Sequence, residues 1–139
     1  MAKLIYPELS YKLIGIAYKV FNELGPGYQE KIYKKAYELE LRKQNISYEK
    51  ERRVSLKYDG KDVGDYFLDF LIEGRVVLEF KVANFFHARD IKQTLAYLKS
   101  NDLKLGILII CKSDKIKYKR IVNNSISDNS QLIRGDISD

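Results

Sequence analysis

Residues 47–82 constrain this chain more than any other stretch. From about Ser47 to Tyr58, Val54, Leu56 and Tyr58 alternate with Arg53, Ser55 and Lys57. That is the period of a half-buried strand. Asp59-Gly60 is a hairpin signal, because glycine accepts the positive φ such turns need. A second strand covers about Asp62 to Ile72, Glu73-Gly74 makes another turn, and a third strand covers Arg75 to Val82. Strands joined by turns this tight must form an antiparallel meander.

The flanking segments complete the architecture. A helix over about Leu9 to Leu24 carries the apolar stripe Leu9, Leu13, Ile16, Val20 and Leu24, and Gly25-Pro26-Gly27 stops it. A second helix runs from about Tyr28 to Gln44. Ile32, Ala36 and Leu39 are its expected core stripe, with Glu30, Tyr33, Tyr37 and Leu41 beside them. After the meander, Ile91, Leu95 and Leu98 mark the core face of a helix over Ala88 to Ser100. The apolar run Lys104 to Cys111 suits a strand buried on both faces. Strand, helix and strand in that order place it parallel to its predecessor by a right-handed crossover. Tyr118 to Val122 adds a Lys-flanked edge strand. The order ααβββαβ, with that extra edge, predicts an α/β mixed sheet flanked by helices.

Composition bounds the rest. A chain of 139 residues makes one domain, here 1–122, followed by a polar tail, 123–139, expected to be flexible. The tail has three Asp against one Arg. It therefore carries −2 of the overall +6, and residues 1–122 carry +8. The 45% hydrophobic content argues against global disorder. One Cys excludes an internal disulfide framework and a Cys-based zinc site, and it fits a reducing, cytoplasmic setting. The longest apolar run, Ile107 to Cys111, is too short to cross a bilayer. Met1 to Glu8 lacks the apolar core of a signal peptide. A basic domain suits a polyanion such as nucleic acid, or an anionic membrane, and simple solubility is the plain alternative. The helices look built to cover a sheet, which argues against a membrane-surface role.

The anomaly lies in the second and third strands. Tyr66, Leu68, Phe70 and Ile72 are expected on one face, which puts Asp69 with Phe67 and Leu71 on the other. In the third strand Glu79 and Lys81 project together from one face. Pairing about Glu73-Gly74 sets Asp69 near Glu79. Acids in apolar strands need a partner or a metal. Two close carboxylates resist joint ionisation unless a divalent cation neutralises them. All-oxygen ligation points to Mg²⁺ or Mn²⁺ rather than Zn²⁺, with the Phe80 carbonyl as a further ligand. A lysine there, Lys81, is placed to steer a water nucleophile or stabilise a pentacovalent phosphate. The structural alternative is an ion pair of Lys81 with Asp69 or Glu79.

Asp69, then Glu79-Phe80-Lys81, resembles the D…(D/E)-x-K signature of the PD-(D/E)XK nuclease superfamily, with Leu68 where that name has proline. The element order is similar to that superfamily's restriction-endonuclease-like core. Gly27-Tyr28-Gln29-Glu30-Lys31-Ile32-Tyr33 reads G-x-x-E-x-x-Y and resembles the motif of the GxxExxY family within it. The resemblance covers about Leu9 to Val122. It implies a metal-dependent nuclease in which Asp69 and Glu79 hold Mg²⁺ or Mn²⁺. Glu30 would approach the metal directly or through water. Lys81 would act on the attacking water. Gln93-Thr94-Leu95-Ala96-Tyr97 looks like Q-x-x-x-Y, which implies that Gln93 and Tyr97 support the site and contact nucleic acid. Without the resemblance, Glu30 reads equally as a helix-dipole acid, Gln93 as a surface residue and Tyr97 as a core-edge residue.

Other residues read as structural. His87 suits a solvated helix start, and Cys111 a buried small hydrophobe. Lys112, Lys115, Lys117, Lys119 and Arg120 suit phosphate contacts or edge protection alike, and Arg52 and Arg53 are similarly open. DNA is favoured over RNA as the substrate. A homodimer acting on two strands is compatible with this size, and no interface is legible. The rival function is a non-catalytic nucleic-acid-binding or partner-binding module on the same fold.

Overall fold

A computed structural model describes residues 5–124, so the tail expected to be flexible lies, from residue 125 on, outside the described residues. Helices α1 (Pro7–Leu24) and α2 (Glu30–Lys43) precede strands β1 (Tyr48–Tyr58), β2 (Lys61–Ile72) and β3 (Val76–Val82). Helix α3 (Ala88–Ser100), β4 (Leu105–Cys111) and β5 (Ile116–Val122) follow. The five strands form one sheet in the order β1-β2-β3-β4-β5. β3 and β4 pair in parallel across the α3 crossover, and the other neighbours are antiparallel. This is the mixed, restriction-endonuclease-like sheet the element order predicts.

Each face of the sheet has its own core. On one, Leu13, Ile16, Val20 and Phe21 of α1 and Tyr33, Tyr37 and Leu41 of α2 pack on Phe70, Ile72, Leu78, Phe80, Ile107 and Ile109. On the other, Tyr97 and Leu98 of α3 pack on Leu68, Leu71, Val77, Leu108 and Ile121. Gly106 sets the approach of α3. A Cβ there would lie 2.5 Å from the Thr94 methyl carbon, and threonine is stiff at χ1.

Four expectations about faces need correction. On α2 the buried stripe is Tyr33, Tyr37 and Leu41, while Ile32 and Leu39 stay 38% and 53% exposed. The tyrosines win because each buries a ring and still finds a hydroxyl partner. Tyr33 Oη donates to the Gly25 carbonyl at 2.7 Å, and Tyr37 Oη to the Leu13 carbonyl at 2.8 Å. On β1, Tyr58 is 70% exposed, because the hairpin tip extends past the end of β3 and nothing covers it.

On β2 the alternation breaks at Asp69. Tyr66 and Leu68 join the α3-side core, yet Phe70 and Ile72 join the opposite one. Phe67 faces solvent and Leu71 lies under α3, so Asp69 shares a face with neither as a regular strand would have it. Opposite it, Glu51 has φ +54°, a left-handed conformation, and the β1–β2 pairing skips these two residues. Arg120 is buried rather than presented to a phosphate. Its guanidinium donates to Ile5 O at 2.9 Å and Ser10 Oγ at 3.3 Å, tying β5 to the start of α1.

Candidate active site

β2 and β3 pair only through Phe70–Leu78, Leu71–Val77 and Ile72–Val76. The next positions along that register are Asp69 and Glu79, and there the ladder gives way to side chains. Asp69 Oδ2 accepts the Phe80 N–H at 2.7 Å, and Glu79 Oε2 accepts the Asp69 N–H at 3.3 Å. Each carboxylate thus satisfies a backbone donor left by the parting strands. These two hydrogen bonds tie each acid to the backbone of the neighbouring strand.

Both carboxyl groups are buried. Burial, and then the charge of Asp69, push the Glu79 carboxyl up to about 8, while Lys81 pulls in the opposite direction. Asp69 Oδ1 accepts from Lys34 Nζ at 3.1 Å. That ammonium also lies 3.8 Å from Glu30 Oε2, one helical turn back. Burial alone would lower the Lys34 pKa, but the charge and hydrogen bond of Asp69 outweigh it and raise it. Glu30 Oε1 accepts the Val82 N–H at 3.3 Å, which brings the start of α2 to the end of β3.

Among the described residues, no three acidic, His or Cys side chains are grouped closely enough to hold a metal ion. Asp69 and Glu79 are adjacent, and Lys34 stands between Asp69 and Glu30. The donor set still suits a hard divalent cation, because it is all oxygen and the Asp69–Glu30 gap already takes up positive charge. The residues that fit such an ion are Asp69 and Glu79, with Glu30 one step further out.

On the α3 side, Lys81 Nζ lies 4.0 Å from Asp90 Oδ1. The ion pair of Asp69 is therefore with Lys34, and that of Lys81 with Asp90 in the first turn of α3. Arg89 Nε also approaches Asp90, at 3.8 Å. Tyr66 Oη donates to the Gln93 carbonyl at 2.9 Å. Burial, and then the charges of Glu79 and Tyr97, push the Tyr66 hydroxyl up to about 12. Gln93 is half-buried and meets β2 through its backbone carbonyl, Tyr97 is buried in the α3-side core, and Asp90 is the α3 residue that reaches Lys81.

Sequence reasoning missed Lys34, Asp90 and Tyr66. Lys34 had a signal, its spacing of four from Glu30. Asp90 looks like any acid in a first helical turn.

The remaining candidates stay structural. His87 is exposed at the N-cap of α3, its ring 4.7 Å from that of Phe85. Cys111 is buried, and burial, with a further push from Glu30, lifts its thiol to about 12. Lys119 lies 4.9 Å over the Phe86 ring.

A second buried carboxylate sits nearby on α2. The Glu38 side chain is 3% exposed and accepts from Tyr48 Oη at 2.7 Å, Arg42 Nη2 at 3.0 Å and Lys50 Nζ at 3.1 Å. The Tyr48 hydrogen bond leads in lowering its pKa; burial opposes it, and Lys50 and Arg42 reinforce it.

The fold has a solved counterpart. A structure titled "Crystal structure of SSO0001" superposes with a TM-score of 0.51 at 21% identity, over 75% of this chain and 54% of that one. The chain thus spans about half the length of that relative, and at this identity the likeness is one of fold. No curated protein matches the chain. The family model of the PD-(D/E)XK nuclease superfamily matches residues 7–121, from the first residue of α1 almost to the end of β5. The chain belongs to the PD-(D/E)XK nuclease superfamily.

Proposed function

We propose that this protein is a divalent-metal-dependent nuclease that hydrolyses phosphodiester bonds, with DNA as its preferred substrate. One observation carries the reading. Asp69 and Glu79 are clamped side by side where β2 and β3 part, with Lys81 two residues further along β3. Superfamily membership gives the nuclease class. The G-x-x-E-x-x-Y run at Gly27–Tyr33 supports a place in the GxxExxY branch.

In this reading Asp69 and Glu79 hold Mg²⁺ or Mn²⁺, with the Phe80 carbonyl as a third donor and Glu30 acting through water. Such an ion supplies Lewis-acid stabilisation to a phosphoryl oxygen. Lys81 orients the attacking water and stabilises charge that develops on the phosphate. Asp90 holds the Lys81 ammonium in place. Gln93 and Tyr97 support the site from the α3 side, with the Tyr66 hydroxyl fixed between strand and helix. Among the described residues no helix is long and apolar enough to cross a membrane. The single thiol supports action in the reducing cytoplasm, and a homodimer would bring two sites to two strands.

The test is a cleavage panel of linear, circular, single- and double-stranded DNA and of RNA, in Mg²⁺ or Mn²⁺. Lys81→Ala serves as comparator. The expected result is metal-dependent cleavage of DNA by the wild type and none by the variant. Binding without cleavage in every metal would instead establish a non-catalytic module.

A further inference from the structure

Between α2 and β1 runs a cleft of about 180 Å³, lined by Lys31, Lys34, Lys35, Lys50, Glu38, Glu51, Asp69 and Phe70. It opens beside Asp69 and so adjoins the carboxylate pair. Four ammonium groups face three carboxylates across it. Two lysines of the cleft, and Arg42 from outside its lining, share one acid, Glu38, within 4 Å. They are Arg42 at 3.0 Å, Lys50 at 3.1 Å and Lys35 at 3.8 Å. Four lysines against three carboxylates leave the lining one positive charge in surplus, and Arg42 on the far side of Glu38 adds to it. Lys31 is exposed at the same wall and has no carboxylate partner within 4 Å among the described residues.

A small pocket lined by lysines suits one phosphate group. It is too small for a base plus its sugar, and its only large apolar lining residue is Phe70. Lysine binds phosphate as a point charge with rotatable donors, and the long stems of Lys31, Lys35 and Lys50 let the heads adapt. A divalent ion at Asp69 would take over part of the countercharge that Lys34 now supplies, leaving more positive charge for the cleft.

We propose that this cleft is a phosphate subsite, in which Lys31, Lys34, Lys35 and Lys50 hold a phosphate of the substrate strand beside the one at Asp69 and Glu79. The proposal rests on the nuclease reading for the identity of the strand, and it deepens that reading by fixing where the strand runs. The bound phosphate then enters along α2 rather than across the outer part of the β1–β2 hairpin, where Arg53–Asp65 and Lys57–Asp62 already pair charge with charge.

The experiment measures metal-free binding of a short synthetic single-stranded DNA as a function of salt, by fluorescence anisotropy. The wild type is compared with the double variant Lys31→Ser, Lys35→Ser. Neither residue touches Asp69 or Glu79, and circular dichroism checks that the fold is kept. The expected result is roughly tenfold weaker binding, with a salt slope shallower by roughly 0.7 for each phosphate that the variant no longer neutralises. An unchanged slope overturns the proposal. Probes with a 5′-phosphate, a 3′-phosphate or neither give the source. A gain from one terminal phosphate that the double variant loses identifies a terminal monoester, and equal losses on all three identify an internal diester. Because the assay needs no metal and no turnover, failure of the cleavage panel and failure of the cleft read out separately.

Discussion

Two buried carboxylate sites lie within one neighbourhood of this fold and behave in opposite ways. Glu38 is surrounded by Tyr48, Arg42, Lys50 and Lys35, three of which donate hydrogen bonds to it, and its pKa is lowered. Glu79 has a second acid as its nearest charged neighbour, and its pKa is pushed up to about 8. Both are glutamates with little exposed surface, but at Glu79 burial gives the largest push and the Asp69 charge the next, whereas at Glu38 the Tyr48 hydrogen bond outweighs burial. An over-compensated acid holds structure together. An under-compensated pair stores a demand for positive charge, which a divalent ion can meet.

The largest effect expected from this contrast is on turnover. Asp69→Asn keeps the shape and an acceptor for the Phe80 N–H but halves the charge offered to a cation. We expect cleavage to fall by roughly a thousandfold, equivalent to about 4 kcal/mol of transition-state stabilisation. Stability should change little, since the substitution also relieves repulsion of Glu79. Glu38→Gln, the same exchange at the other site, should leave kcat within a few-fold. Equal kinetic losses at both sites would break the contrast.

Glu38→Ala comes next. It strips Arg42, Lys50 and Tyr48 of a common acceptor. Removing one partner from a buried pair costs roughly 3–5 kcal/mol. Arg42 and Lys50 are about half exposed and regain water, so we expect about 2 kcal/mol in urea unfolding. A value near zero would make Glu38 a spectator.

The two sites are unequally legible in the sequence, for a physical reason. Register about a tight turn is a local rule, so Glu73-Gly74 is enough to set Asp69 beside Glu79. The apolar β4 likewise announces its burial on both faces. Lys34 reaches Asp69 from an element 35 residues away, and Asp90 reaches Lys81 from the next helix. Neither pairing follows from spacing within a strand. Glu38 gives no signal at all, because an acid in a charged helix carries no mark of burial until the helix is docked. The same docking decides between two apolar stripes on α2, and it favours the one whose tyrosine hydroxyls find carbonyls on α1 and just beyond its end. Asp69 defeats simple alternation because the strand changes face there and its ladder to β3 ends beside it, and that change is what makes the site.

Opposite pKa shifts give opposite pH slopes. The folded pKa of Glu79 lies above its unfolded value near 4.5. Between about 4.5 and 8 the folded state therefore binds more protons than the unfolded one, and stability falls as pH rises. The contribution is fully present below 4.5 and lost as pH climbs through about 8. For one proton the slope is at most about 1.4 kcal/mol per pH unit. Metal-free protein should melt lower at pH 8.5 than at pH 6, and Glu79→Gln should flatten that dependence. Millimolar Mg²⁺ should restore the high-pH melting temperature of the wild type but not of the variant. A flat wild-type profile would mean that Glu79 is already compensated, as Glu38 is.

The smallest effect tests the other side. Tyr48→Phe removes the hydrogen bond that leads in lowering the Glu38 pKa. The cations remain, so the loss should be about 1 kcal/mol at neutral pH. The sign is the reverse of that for Glu79. A carboxyl whose folded pKa is lowered contributes stability above its unfolded pKa and loses it as pH falls through the folded one. The difference between wild type and Tyr48→Phe should therefore be widest at neutral pH and narrow on acidification below the unfolded value. Urea unfolding at pH 7 and pH 3.5 measures it. A difference that grows on acidification would place the tyrosine's role in packing against Phe70, 6.0 Å away ring to ring, rather than in its hydroxyl.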